Sequence, residues 1–323
     1  MPDRPDVSIC IVNWNGRDLL RNLLASLQTA EPGLRLETIV VDNASTDGSL
    51  DRVPEDFPGV VLVRNDRNLG FSRGNNQAAA RATGRYLFFL NNDTIVHPGA
   101  IGKLARFLDE HPAYSAVGPR LIGGDGKPQH TGRNLPTIRA LLHHRVMLFP
   151  RWTGVFRQEY RDYRYGAFDP DRHAEVQQLA AAALLVRREW FEAAGRWDEG
   201  FEFGVEDVDL CVRLRKFGPI YYLPDAEILH LGRISSQANY GFTYTGYECG
   251  YARYLKKHHP NPTAARLYKA FVTIDMPVRL FILGSQVVGY VMFGRRDAAA
   301  RTYRRLSAAG EFFFHRLPKF WRA

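Results

Sequence analysis

The chain has 323 residues, 45% hydrophobic and 24% charged, ordinary values for a soluble globular protein, and enough length for one large α/β domain or a domain with an appendage. Its net charge of +9 is concentrated in residues 251–323, which hold 14 Lys and Arg against 3 Asp and Glu, a net of +11; residues 1–250 hold 29 against 31, a net of −2. That division excludes a uniformly basic chain and points to a nearly neutral body with a tail that meets something anionic. Three scattered cysteines (Cys10, Cys211, Cys249) form no CxxC pair, exclude a disulfide framework and are read as reduced, in a cytoplasmic setting. The first ten residues lack a basic segment followed by an apolar run, so no signal peptide is expected.

Strand and helix signals alternate through the first 120 residues. "VSICIVNW" is a β-branched run and "RDLLRNLLASL" has apolar residues at helical spacing; "LETIVVDN" is a strand ending in an acid, followed by a short helix around "STDGSLDRV". "VVLVRN" is a strand, "RGNNQAAARAT" a helix closed by Gly84, "RYLFFLNND" a strand, and "PGAIGKLARFLDEHP" a helix with Pro98 in its first turn and Pro112 past its end. This alternation predicts βαβ units and a mostly parallel, Rossmann-like sheet flanked by helices. Residues 123–175 lose the rhythm and read as an insertion. From 176, "VQQLAAAALLVRREWFEAAG" reads as a strand passing into a short helix, "EDVDLCVRLRKFG" as an amphipathic helix ended by Gly218, and "IYYLPDAEILHLG" as two short strands; after about 240 the pattern is helical.

Ligands of an open α/β sheet bind outside the carboxyl ends of its strands. Here every such end is polar: Asn13 and Asn15, Asp42 and Asn43, Arg64 and Asn65, and Asn91, Asn92 and Asp93. "NWNGRD" has one glycine and fails the GxGxxG pattern of dinucleotide-binding domains, which argues against an oxidoreductase. Asp42 can accept from a base or a ribose hydroxyl, or belong to a helix cap with Ser45, Thr46 and Asp47. In "NLGFSRGNN", two glycines and Arg73 before a helix suit an anion, or a flexible connection. "NND" can bind a hard divalent cation or make an Asx-turn; Asn91 and Asp93 converge only if the strand stops and the chain turns between them. Glu206, Asp207 and Asp209 favour a helix dipole, or supply a base beside a cleft approached through "WDEGFEFGV". His230, alone at a strand end, is structural or a ligand.

In this order, "VSICIVNWN", "VVDNASTDGS", "NLGFSRGNN", "FLNNDT", "GRWDEGFEFGVEDVDLCVRLRKFG" and "HLGRISS" resemble the successive signatures of family 2 glycosyltransferases of the GT-A fold, in their rhamnosyltransferase-like branch, over roughly residues 7–235. The resemblance implies a GT-A domain over 1–240, with a nucleotide-sugar half (1–122) and an acceptor half (123–240), and a helical basic region over 241–323. It implies that Asn13, Asn15 and Asp42 hold the nucleoside, that Asn68, Gly70 and Arg73, with Asn91 and Asn92, line the rest of the nucleotide sugar, and that Asp207 is the catalytic base. Trp197, Asp198 and Glu206 fall to the acceptor. Asp93, with His230 and Asn91, is implied to hold Mn²⁺ or Mg²⁺; Asn91 departs from the family's first aspartate and lacks its charge. The implied reaction is inverting transfer from a nucleotide sugar, dTDP-rhamnose or a UDP-hexose, to a lipid-linked or cell-envelope glycan. A nucleotide- or glycan-binding module without catalysis is the alternative from another class.

In the tail, residues 271–293 are apolar but hold Asp275, Pro277 and Arg279, and the cleanest stretch, 280–293, is too short to span a bilayer. The expectation is interfacial helices on an anionic membrane face at the cytoplasmic side, with packing against the body as the alternative and no nucleic-acid partner.

Overall fold

A computed structural model describes residues 4–31, 33–147, 153–164, 166, 168–232 and 240–323. The chain divides into two compact units: one draws on residues 1–135, 167–200 and 206–232, the other on 136–166, 201–205 and 233–323. The expected boundary is at 240; the change of unit lies at 232, and the second unit also takes two earlier segments. Part of the "HLGRISS" motif, residues 233–236, lies outside the described residues.

In the first unit, β1 (Val7–Asn13), β2 (Leu36–Asp42), β3 (Val60–Arg64) and β4 (Tyr86–Asn91) form the parallel run β3-β2-β1-β4, with helices α1 (Arg17–Ala30), α2 (Val53–Asp56) and α3 (Phe71–Arg81) in the connections. Next come β5 (Thr94–Val96), α4 (Ala100–Glu110), β6 (Ala116–Ile122), β7 (Gly132–Arg133), β8 (Ala174–Val176), β9 (Gln178–Leu179), β10 (Ala183–Arg187) and α7 (Arg188–Ala193); α5 and α6 belong to the second unit. Helix α8 (Glu206–Leu214) and β11 (Ile220–His230) complete the unit. The sheet continues from β4 to β10, β6, β11 and β5, with β8 on β11. Here it becomes mixed: β10 runs antiparallel to both β4 and β6, and β11 antiparallel to β5 and β8. The predicted single strand over the alanine run is broken at 180–182, and the two predicted strands around Pro224 are one strand whose register shifts between Leu223 and Glu227. Proline has no N–H for the ladder, so an irregularity there is the economical solution.

Alternation of side chains along the strands builds two cores. Val7, Ile9, Ile11, Val40, Phe88 and Leu90 face α1 and α4, whose Leu20, Leu23, Leu27, Ile101 and Leu104 are buried against them. Cys10, Ile39, Val41, Leu87 and Phe89 face the other way, toward Ala78 and Ala79 of α3, Phe191 of α7 and Leu210 and Leu214 of α8. All three cysteines are free, and burial pushes the Cys211 thiol up to about 12.

The second unit contains α5 (Ile138–Arg145), α6 (Arg157–Arg164), α9 (Tyr240–His258), α10 (Ala264–Met292), α11 (Arg296–Glu311), a π-helical turn (Phe312–Arg316) and α12 (Leu317–Arg322). Buried charges explain why part of the insertion belongs with the tail. Glu248, fully buried, accepts from Arg145 Nε (2.9 Å) and from the Tyr268 hydroxyl (2.6 Å). Asp275, also fully buried, accepts from the Met147 N–H (2.7 Å), and Arg279 pairs with Asp275 and donates to the Arg145 carbonyl. A charge removed from water needs such partners. The expectation that the apolar stretch is too short to span is corrected by α10: it runs unbroken through Pro277 for 29 residues and, among the described residues, is the one helix long and apolar enough by length and composition to cross a bilayer.

Gly218 is required by space rather than by backbone conformation. A Cβ there would lie 2.0 Å from the Ala113 carbonyl oxygen, and Ser115 donates to the neighbouring Gly218 and Pro219 carbonyls. Backbone cannot swing aside as a side chain can, so Gly218→Ala is expected to lower unfolding stability by about 1–3 kcal/mol, measured by urea denaturation.

Candidate active site

Register levels the parallel strand ends: Asn13 pairs with Asp42, Asp42 with Arg64, and Val12 with Asn91. At this edge Asp42 Oδ1 accepts from Asn13 Nδ2 (3.0 Å) and Ser45 Oγ (2.6 Å), and Oδ2 accepts from the Ser45 N–H (2.9 Å). Asn15, at φ +50, donates its N–H to Ser45 Oγ and accepts from the Thr46 N–H (2.8 Å). Both sequence readings of Asp42 are therefore partly realised: it builds the turn with Ser45, and that turn is where the strand ends.

The "NND" segment reverses direction. β4 ends at Asn91, β5 begins at Thr94, and the Thr94 hydroxyl donates back to the Asn91 carbonyl (2.7 Å). Asn92 Nδ2 donates to Asn13 Oδ1 (2.8 Å), linking this turn to the Asn13–Asp42–Ser45 chain. Gly16 makes the link feasible, since a Cβ there would meet Asn92 Nδ2 at 2.4 Å.

Asp93 and His230 are brought together because β11 runs antiparallel to β5, with His230 opposite Thr94. His230 Nε2 lies 3.3 Å from Asp93 Oδ1, without the alignment of a hydrogen bond, so Oδ1 is buried with no hydrogen-bond partner. Among the described residues there is no cluster of three or more Asp, Glu, His or Cys able to hold a metal. Two side chains with an unsatisfied carboxylate oxygen still fit a hard divalent cation, which commonly takes one or two protein ligands and completes its shell with phosphate oxygens and water.

Asp207, in the first turn of α8, is half-buried at the surface, with protein atoms packed closely around its carboxylate. Burial raises its carboxyl above the ordinary value of 3.8, opposed by its own helix N–H groups, the nearby Arg133 guanidinium and the Ala181 N–H. Ala182, the next residue, accepts from the Asn91 N–H (3.0 Å). The dipeptide Ala181–Ala182 therefore touches Asp207 with one peptide group and the "NND" strand end with the other. Neither Arg133 nor these alanines was singled out from sequence; small residues in an alanine run look like filler until their backbone is seen to be used.

The remaining predicted residues divide. Asn68 accepts from the Gly70 N–H (2.9 Å), and Gly70, at φ +83, starts α3, which has no side-chain N-cap. Asn43 donates to the Gly70 carbonyl and accepts from Asn65, which also exchanges bonds with Gln77, so these amides buttress the start of α3. Arg73 pairs with Glu199 at 3.2 Å, both half exposed. Trp197, expected at the acceptor, is 2% exposed, its ring 5.2 Å from Phe71 and 5.0 Å from Phe89, where a large apolar ring gains from burial. Asp198 accepts from the Gly200 N–H, Glu206 is buried beside Asp207, and Asp209 is consumed by Arg213.

A mixed sheet whose parallel strands end in polar side chains is the frame of a GT-A-type fold. The family model for glycosyl transferase family 2 matches residues 8–168. The N-acetylglucosaminyl-diphospho-decaprenol L-rhamnosyltransferase of Mycobacterium tuberculosis is 31% identical over 238 residues, covering 69% of this chain and 75% of that protein. The O-antigen biosynthesis protein RfbC of Myxococcus xanthus is 31% identical over 224 residues, 66% of this chain but 16% of its own length. Among solved structures, the mannosyltransferase PcManGT from Pyrobaculum calidifontis, in complex with GDP-Man and Mn²⁺, has a TM-score of 0.56 at 15% identity, covering 97% of this chain and 88% of that one. GalNAc-T7 with UDP, GalNAc and Mn²⁺ has a TM-score of 0.55 at 16% identity, covering 84% of this chain and 55% of that one. The chain belongs to glycosyltransferase family 2 and is a rhamnosyltransferase-like enzyme of the GT-A fold.

The raised carboxyl has a sign that can be checked. Folding favours protonated Asp207, so its contribution to stability is full below 3.8 and is lost as pH rises through the raised value. A ¹³C titration of the Asp207 carboxyl is expected to have its midpoint above 3.8, and Arg133→Met should move it higher by removing a favourable charge.

Proposed function

We propose that this enzyme transfers rhamnose, from dTDP-rhamnose, to a lipid-linked or growing cell-envelope glycan, by single displacement with inversion and with the help of a divalent cation. The observation that carries this reading is the Ala181–Ala182 dipeptide, which joins a carboxylate of raised pKa to the strand end bearing Asp93. The decaprenol-linked rhamnosyltransferase among its relatives supports the choice of donor and acceptor.

Asp42, Asn13 and Asn15 would hold the nucleoside, while Asn68, Gly70 and the uncapped start of α3 would meet the diphosphate, with Arg73 exchanging Glu199 for phosphate. Asp93 and His230 would hold the cation, Asn91 adding a neutral amide oxygen. When bound, a divalent cation offsets the charge that gathers on the leaving diphosphate. Asp207 takes the proton of an acceptor hydroxyl as that oxygen bonds to the anomeric carbon; the bond from that carbon to the diphosphate breaks, and the nucleoside diphosphate leaves with the electron pair. A raised pKa makes Asp207 a stronger base.

Transfer, assayed with a panel of nucleotide sugars, is expected to be highest with dTDP-rhamnose, to vanish with a chelator and to return with Mn²⁺ or Mg²⁺. Asp93→Ala should abolish that return. Asp207→Asn should keep donor binding and lose transfer by about 10²-fold or more. Near-normal transfer by a folded Asp207→Asn enzyme would remove it from the mechanism, and a preference for a UDP-hexose would replace the donor.

The second unit is proposed to lie on the cytoplasmic face of an anionic membrane. Along α10, Leu267, Phe271, Ile274, Phe281, Val288 and Met292 are exposed at spacings of three, four and seven residues, which puts them on one stripe. The opposite face is committed to protein: Tyr268, Val272, Asp275 and Met276 are buried. Arginines 295, 296, 301, 304 and 305 follow directly. A helix apolar on one side, held by buried charges on the other and followed by arginines, suits an interface better than a span. Flotation with anionic vesicles is expected, weaker at high salt and much weaker with neutral vesicles. The pair Phe281→Glu and Val288→Glu, at exposed positions, should abolish it without unfolding the protein; unchanged flotation would move the contact elsewhere.

A further inference from the structure

Gln129 stands outside every motif of the sequence, in the turn that follows β6, with its N–H bonded to the Leu121 carbonyl (2.8 Å). Its side chain makes two bonds, both to His230. Gln129 Nε2 lies 2.9 Å from the His230 carbonyl oxygen and Gln129 Oε1 lies 2.8 Å from His230 Nδ1. A carbonyl oxygen only accepts, so the first bond fixes which end of the amide is nitrogen. The other end is then an oxygen, which also only accepts, and His230 Nδ1 must carry the hydrogen. A neutral imidazole protonated at Nδ1 presents a lone pair at Nε2. That lone pair is 3.3 Å from Asp93 Oδ1, itself buried and without a hydrogen-bond partner. Two acceptors thus lie side by side with no proton between them.

We propose that Gln129 is a positioning residue that locks His230 in the Nδ1–H tautomer and so keeps the Asp93–His230 pair open to a divalent cation. This rests on the reading of that pair as the cation site. Without Gln129, His230 could carry its hydrogen on Nε2, which would place a donor where a cation needs a lone pair. Gln129 holds that hydrogen on Nδ1, and its second bond, to the carbonyl of the same residue, prevents the amide from flipping. Gly232, at φ +59, closes over the arrangement: a Cβ there would lie 3.4 Å from the imidazole Cε1 and 3.6 Å from Gln129 Nε2.

The test reads the tautomer in metal-free protein and, separately, the affinity for Mn²⁺ alone. At mildly alkaline pH, ¹⁵N spectra assigned with His230→Gln are expected to show the Nδ1–H form in the wild type. Gln129→Met should shift His230 to the Nε2–H form and weaken Mn²⁺ binding by about 10–100-fold, the usual scale for partners that orient a ligand. Gln129→Glu, which keeps an acceptor for Nδ1–H, should retain the tautomer and bind Mn²⁺ at least as tightly as the wild type, separating orientation from general damage to the turn. An Nε2–H form in the wild type, or a Gln129→Met protein unchanged in both readouts, would overturn the proposal. A wild-type enzyme with the Nδ1–H form that takes up no Mn²⁺ would overturn the cation reading beneath it instead.

Discussion

Everything at the site depends on one constraint: the parallel strands β1, β2 and β4 end level with one another. Parallel pairing with helical crossovers forces their carboxyl ends to the same edge, and register makes Asn13, Asp42 and Asn91 neighbours across that edge. Polar side chains that would be costly inside the sheet are there within reach of one another. They satisfy one another as a chain from Asn92 through Asn13 to Asp42 and Ser45. The chain is short and directional, which suits recognition of a polar ligand better than a loose polar surface.

Against that parallel frame the antiparallel strands bring further side chains together. β10 beside β4 brings Ala182 to Asn91, and the residue before it reaches Asp207. β11 beside β5 brings His230 to Asp93. The fold treats its two carboxylates differently. Asp207 is half-buried and its carboxyl is raised, whereas Asp93 is left with an oxygen that no protein group bonds.

The second unit follows another logic. Its segments are tied by the buried Glu248–Arg145 pair and by the bonds of Asp275 to the Met147 N–H and of Arg279 to the Arg145 carbonyl, so the charges that seemed to interrupt an apolar helix are what anchor it. With one face of α10 held by these bonds, its apolar residues on the other side are exposed. Segregating basic residues into this region leaves the sugar-transfer body nearly neutral.

The sequence by itself determined the strands, the helices between them and the family, because alternation at period two and near 3.6 and the polar strand ends are local properties of the chain. It also named Asp42, Asp93, Asp207 and His230, whose residue types carry chemistry wherever they occur. Tertiary structure decided which of these meet. It put Trp197 in the core, because a large ring's place depends on the Phe71 and Phe89 rings around it, distant in sequence. It assigned residues 136–166 to the tail's unit through ion pairs more than a hundred residues apart, such as Arg145 with Glu248. And it gave roles to Gln129, Arg133, Ala181 and Ala182, which no local pattern marks, because a hydrogen bond from an amide or a backbone group is specified by position in space and not by residue type.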